Sequence, residues 1–252
     1  MQIKELEEIL NKIAPLDTQE DWDNSGMQLS FGDEDVSKVL VAMEITDKVI
    51  DEAVSSDADM IVCHHPLYFN ELKHVDGTES SGRYTVRLIE NHIAVYASHT
   101  PFDFAPKGNN AYLMKLVGAV DFNGFSAQLP EEMSFLDFAK KLAGVLGNPL
   151  DVRLVGDIDR KIKKISVCTG SGAEFIGEAI SRKCDCFITG DLKHHDAQYA
   201  RENGLCVIDA GHWGTEHTFV DNMSEQLADA CCGRLEIIKS KVNQNPVDYV
   251  LK

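Results

Sequence analysis

The sequence predicts an α/β fold with mainly parallel strands, and three observations lead there. Short apolar runs rich in β-branched residues alternate with helical stretches, the rhythm occurs twice at a fixed offset, and motifs of histidine and carboxylate follow several of the runs. Continuous apolar runs, unlike alternating ones, are the signature of strands covered on both faces.

In order along the chain, MQIKELEEILNKIAPL has the spacing of an amphipathic helix and not of a signal peptide. EDWDNSGMQLS then forms a polar turn before the first strand, with Trp22, Asp23, Asn24 and Gly26 serving turn chemistry or lining a pocket. The runs Lys38–Met43, Met60–Cys63, Ala94–Ala97, Ile165–Cys168, Cys186–Thr189 and Leu205–Ile208 read as buried strands, four to six residues long. Helices are expected between them over Asp47–Ser56, Thr85–Asn91, Asn110–Val117, Met133–Leu146, Glu174–Arg182 and Thr218–Cys232.

The rhythm repeats internally. Val39–His65 aligns with Ile165–Asp191 without a gap at an offset of 126, pairing Val41 with Val167, Glu52-Ala53 with Glu178-Ala179 and Asp59 with Asp185. Further on, IENHIAVYASHTPFD is similar to ARENGLCVIDAGHWGTE, and His99 and Asp103 fall on His212 and Glu216 at an offset of 113. Duplicated halves are therefore expected, one over residues 1–125 and one over 126–252, with the C-terminal part a candidate to pack back on the first. In open α/β sheets, ligands bind at the carboxyl ends of the strands, where these motifs lie.

A chain of 252 residues is long enough for one large or two interlocked domains. Its formal net charge of -17 opposes attraction to nucleic-acid phosphates and anionic lipid, so neither nucleic acid nor membrane is an expected partner. No apolar run reaches the roughly 20 residues that span a bilayer, and the expected location is cytoplasmic. Seven cysteines, placed mostly in or beside apolar runs, read as buried thiols and not as a disulfide frame.

Histidine and carboxylate together are the usual ligands of a catalytic transition metal. VCHHPLYF ends a strand in His64 and His65. In an extended backbone adjacent side chains point to opposite faces, so two ions, one per histidine, suit the pair better than one unless the strand has already ended. GHWGTE puts His212 and Glu216 one helical turn apart, and Glu216 is the candidate to bridge two metals. SHTPFD carries Asp103, a ligand or a cap, and His99, which either completes a coordination sphere or acts behind it. TGDLKHHD places Asp191, His194 and His195 after the strand that mirrors the first, for substrate contact or proton transfer, or as a helix start with an aspartate cap. Lys107, Arg153, Lys163 and Lys164 join Lys193 as candidate phosphate contacts, because no glycine-rich phosphate loop is present.

With DNSGMQ, HHPL, SHTPFD, TGDLKHHD and GHWGTE in that order, the chain resembles the NIF-three-like family, known also as GTP cyclohydrolase 1 type 2 homologues. The resemblance spans nearly the whole chain. It implies two similar intertwined three-layer α/β/α domains, a metal cleft between them, and a toroidal homohexamer. It also implies two divalent ions per subunit, drawn from zinc, iron, manganese, cobalt and nickel, on His64, His65, Asp103, His212 and Glu216. The implied activity is a metal-dependent hydrolase that opens the guanine ring of a nucleotide or attacks a related small polar substrate through metal-activated water. His99, His195 and Glu216 are then the catalytic candidates, and Asn24, Lys193 and His194 the substrate-binding ones. The alternative is a non-catalytic protein that binds or delivers metal or docks a partner.

Overall fold

A computed structural model of the chain describes residues 1–147 and 152–248. Two compact units emerge, one of Met1–Gly108 with Phe219–Gln244, the other centred on Asn109–Thr218.

The first unit runs α1 (Ile3–Ile13), β1 (Gly26–Leu29), β2 (Lys38–Ala42), α2 (Asp47–Ser55), β3 (Met60–Cys63), α3 (Ser80–Glu90), β4 (Ala94–Ala97) and α4 (Thr100–Phe104). The second holds α5 (Asn109–Leu116), β5 (Ser126–Ser134), α6 (Phe135–Val145), β6 (Arg153–Val155), β7 (Lys161–Val167), α7 (Ile176–Ser181), β8 (Cys186–Thr189), α8 (His194–Glu202), β9 (Cys206–Asp209) and α9 (His212–Glu216). The chain then returns to the first unit as α10 (Phe219–Cys231) and β10 (Glu236–Lys239).

Each unit has one five-stranded sheet, ordered β1-β4-β3-β2-β10 in the first and β5-β7-β8-β9-β6 in the second. The central strands β2, β3 and β4 pair in parallel, as do β7, β8 and β9, while β1, β5 and β6 are antiparallel additions. Parallel strands need covering on both faces, and each sheet has it. On one face of the first sheet, Val39, Val41, Met60 and Val62 pack with Leu6 and Leu10 of α1 and Phe219, Met223 and Leu227 of α10. On the other, Leu40, Ile61 and Val95 pack with Val49 and Ile50 of α2 and Leu88 of α3. In the second sheet Ile165, Val167, Ile188 and Ile208 meet Leu113 of α5 and Phe135, Phe138 and Leu142 of α6, and Phe187 and Val207 meet α7 and α8. Both units are three-layered α/β/α.

The offset of 126 recurs in hydrogen bonds. Asp59 accepts from the backbone N–H of Ser37 at 2.7 Å and Lys38 at 2.9 Å; Asp185 accepts from Lys163 at 3.0 Å and Lys164 at 2.9 Å. Their own N–H groups donate to the carbonyls of Lys38 and Lys164. One carboxylate in each unit thus ties the entrances of two neighbouring strands together.

The expected break at residue 125 lies instead at Gly108, because Leu113, Met114 and Val117 belong to the core of the second sheet. Strands β1, β5, β6 and β10 and helix α4 were not among the expected elements, and α8 realises the helix start that was one of the two readings of TGDLKHHD. Among the described residues no helix is long and apolar enough to cross a membrane. All seven cysteines are free thiols and six are buried; burial pushes the Cys63 thiol up to about 12, which makes it a poor nucleophile.

Candidate metal centre

Strand register brings the motifs of the first unit to one sheet end. Cys63 pairs with Ala97 in the parallel ladder and Gly26 with Ala97 in the antiparallel one. His64 and His65, the segment from Ser98 to Asp103, and the loop before Gly26 therefore leave the sheet side by side.

The strand has ended when the histidines appear. The N–H groups of both His64 and His65 donate to the carbonyl of Met43, each at 2.9 Å, so the alternation of an extended strand no longer separates them. The two rings lie 5.1 Å apart, and one ring nitrogen from each of His64, His65 and His99 falls within 4.8 Å of the others. The reason for assigning one ion to each histidine is thereby removed.

The remaining nitrogens are held from behind. His64 Nδ1 lies 2.9 Å from the Ser98 carbonyl, which can only accept, so Nδ1 carries the proton and Nε2 the lone pair. Nε2 is 3.6 Å from Asp103 Oδ1. Asp103 is buried on α4, a single turn with Pro101 as its second residue, and its N–H bonds the His99 carbonyl at 3.1 Å. His99 Nδ1 bonds Asp23 Oδ1 at 2.9 Å, leaving Nε2 for an ion or a substrate. His65 Nδ1 faces Glu44 at 3.8 Å.

Asp23 is the hub of the loop DNSG. Its fully buried carboxylate also accepts from Ser25 Oγ at 2.8 Å, Thr100 Oγ1 at 2.6 Å and the N–H of Asn24 at 2.7 Å. Burial alone would raise its pKa, but bonds from His99, Thr100 and Ser25 outweigh that and hold the group well below the usual carboxylate range.

The second unit repeats the plan with different residues. Thr189 pairs with Asp209, so Gly190-Asp191 and the turn into α9 leave the sheet together. His212 Nδ1 bonds Asp191 at 2.7 Å and its Nε2 lies 3.0 Å from Glu216 Oε2, both residues being on the one-turn helix α9. Glu216 is 2% exposed. Gly170 and Gly190 stand where the repeat places Glu44 and His64 in the first unit, and the space explains why. A Cβ on Gly170, whose φ is +66°, would meet Glu216 Oε1 at 2.1 Å, and one on Gly190 would meet the backbone nitrogen of His212 at 2.5 Å. Giving up two side chains in this copy admits the His212–Glu216 pair.

Lys193, His194 and His195 begin α8 and are exposed; the two imidazoles lie 5.3 Å apart and belong to no three-residue donor cluster among the described residues. Asp191 does not cap that helix and holds His212 instead. Asn24 is exposed and its Nδ2 donates to the Tyr68 carbonyl at 2.6 Å. Of the candidate phosphate contacts, Lys163 and Lys164 donate to the carbonyls of Pro130 and Arg182, and Arg153 to Leu192 and Asp209.

Sequence reasoning did not name Glu44, took Asp23 as a turn or pocket-lining residue, and gave Asp191 to substrate or proton transfer or a helix cap and not to the support of His212. Asp23 reaches its histidine across 76 positions, and no spacing within a motif announces such a contact. Imidazoles each aimed by a second polar group, grouped with buried carboxylates, are the donor chemistry that divalent transition ions take, and the residues present fit such an ion.

A family model described as Duf34/NIF3 (NGG1p interacting factor 3) matches residues 1–246. A Clostridium perfringens protein named GTP cyclohydrolase 1 type 2 homolog is 30% identical over 263 aligned positions, covering 99% of this chain and 100% of that one. A Helicobacter pylori protein named GTP cyclohydrolase 1 type 2 is 30% identical over 232 positions, covering 89% of this chain and 91% of its own. Among solved structures, the Staphylococcus aureus protein SA1388 superposes with a TM-score of 0.93 at 26% identity, covering 99% of both chains. Full-length agreement of sequence model, relatives and fold places this chain in the Duf34/NIF3 family.

Proposed function

We propose that the chain is a metal-dependent hydrolase of the GTP cyclohydrolase 1 type 2 kind, acting on a nucleotide or a related small polar substrate. The observation that carries this reading is the trio His64, His65 and His99 with its ligand atoms within 4.8 Å. In it, His64, His65, Asp103, His212 and Glu216 would hold two divalent ions. Ions so held supply Lewis acidity and a hydrolytic nucleophile near neutral pH. His99, fixed by Asp23 through Nδ1, exchanges a proton at Nε2, and the Asp23 carboxylate stabilises the charged ring. His195 on α8 is the second candidate for proton transfer, while Lys193, His194 and Asn24 contact the substrate. The names carried by the Clostridium perfringens and Helicobacter pylori relatives support the choice of GTP as first substrate. The same reading includes a homohexamer in the cytoplasm.

The test is formate release from GTP by metal-loaded protein. Glu216→Gln should lower turnover on the order of a hundredfold with the melting temperature of the loaded protein nearly kept. Full turnover in that variant removes the role given to Glu216, and no formate from the wild type removes the activity.

A second reading, a protein that stores or delivers metal, draws on a specific observation. Lys163, Lys164 and Arg153 spend their side chains on carbonyls or a carboxylate, which weakens the phosphate clamp a triphosphate would want. Rapid passage of bound metal to an apo acceptor, with no turnover of any nucleotide, favours it.

A further inference from the structure

Two large aromatic side chains beside the histidine trio are left facing solvent. Trp22 is 60% exposed and Phe69 48%. Both meet the same imidazole: Trp22 stands 5.6 Å from the His99 ring at 75°, and Phe69 5.5 Å from it at 84°. They come from different loops, one before β1 and one after β3, and those loops are fastened to each other. Asn24 Nδ2 donates to the Tyr68 carbonyl at 2.6 Å, and the Tyr68 N–H donates to Gln28 Oε1 at 3.3 Å.

Neighbouring residues in the same loop have opposite fates. Asp23 is drawn fully inside to hold His99, while Trp22 stays exposed. An indole and a phenyl ring fixed at the mouth of a polar site offer apolar faces that water solvates poorly. Sequence-tolerant stacking on such rings is how proteins hold planar bases. A hydrogen-bonding group stands beside them: the Asn24 amide bonds Tyr68 and Gln28 through Nδ2, and its Oδ1, an acceptor, takes part in neither bond.

We infer that Trp22 and Phe69 form an aromatic platform that stacks a planar nitrogen heterocycle next to His99, with Asn24 Oδ1 accepting from a ring or exocyclic N–H. This rests on the nucleotide reading above and deepens it by naming the residues that recognise the ring. The platform belongs to the first unit alone and needs no metal, so ring binding and turnover are separable. The occupant is the heterocycle and not the phosphates, in keeping with the engaged lysines of the second unit.

The experiment measures binding of guanosine, GTP and ribose 5-phosphate to chelator-treated full-length protein by calorimetry, in wild type, W22L, W22F, F69L and F69Y. Leucine keeps apolar bulk and removes the π face. Guanosine should bind the wild type and lose about tenfold in affinity with each leucine variant, while W22F and F69Y retain most of it. Ribose 5-phosphate should respond to none of them. Metal content on reloading should be unchanged throughout. Equal guanosine affinity in wild type and leucine variants overturns the platform, as does no guanosine binding at all. Leucine variants that fall to a lower oligomer mass would assign the rings to a contact between copies of the chain and also overturn it. Guanosine bound through these rings without formate from GTP would leave the platform standing and remove the hydrolase instead.

Discussion

At the scale of single residues, the candidate centre depends on what stands behind each imidazole. Asp23 aims His99, the Ser98 carbonyl aims His64, and Asp191 aims His212. Groups in this position commonly change metal affinity by about 10- to 100-fold when removed. Asp23→Asn keeps the shape and loses the charge that supports proton exchange at His99, so turnover should fall by about 10- to 100-fold with metal content and fold intact; unchanged turnover would make Asp23 a turn residue only. Gly170→Ala tests the second unit. Its new methyl group would occupy the place of the Glu216 carboxylate at a φ of +66°, and it should cost about 1 kcal/mol or more in urea unfolding as well as metal. The histidines themselves were legible in the sequence because HHP and GHWGTE are compact motifs. Asp23 and Glu44 were not, because their partners are supplied by strand register and not by spacing.

At the scale of elements, legibility followed burial. β3, β4 and β8 begin and end at the expected residues, since continuous apolar runs with polar borders leave little freedom. The missed strands are edges: β5 contains Pro130 and a run of exposed residues, β6 has three residues, and β10 has two isoleucines between charged ends. α3 starts at Ser80, five residues before the expected Thr85, because its first turn is polar and carries no apolar period. The paired aspartates argue a further point at this scale. Burial raises the pKa of Asp59, and the N–H groups of Ser37 and Lys38 with the Ser37 hydroxyl more than offset it, so its folded pKa lies below the ordinary value. A depressed carboxylate contributes stability above its unfolded pKa of about 3.9 and loses it as pH falls through the folded pKa. Asp59→Asn should therefore cost about 1 kcal/mol at pH 7, and the difference from wild type should shrink at pH 3. A gap of the same size at both pH values would assign the loss to packing.

At the scale of the whole molecule, the chain leaves its first unit and comes back. α10 supplies Phe219, Met223, Leu227 and Cys231 to the first core, and β10 lies parallel to β2 at the sheet edge. Each large apolar side chain so buried is worth about 1.5 to 3 kcal/mol, against a total stability of about 5 to 15 kcal/mol for a typical domain. A chain stopped at Thr218 should consequently show no cooperative melting of the first unit, whereas a normal melt would show that the returning segment is dispensable. The sequence offered this return as a candidate, while local periodicity marks α10 as a helix without saying which sheet it covers. The central claim is that the histidine and carboxylate motifs of this chain serve a metal-dependent function. Elemental analysis of anaerobically purified protein beside its His65→Ala variant tests it most directly. About two divalent transition ions per chain, reduced in the variant, is the predicted result; no metal as isolated, and none taken up on incubation, would contradict it.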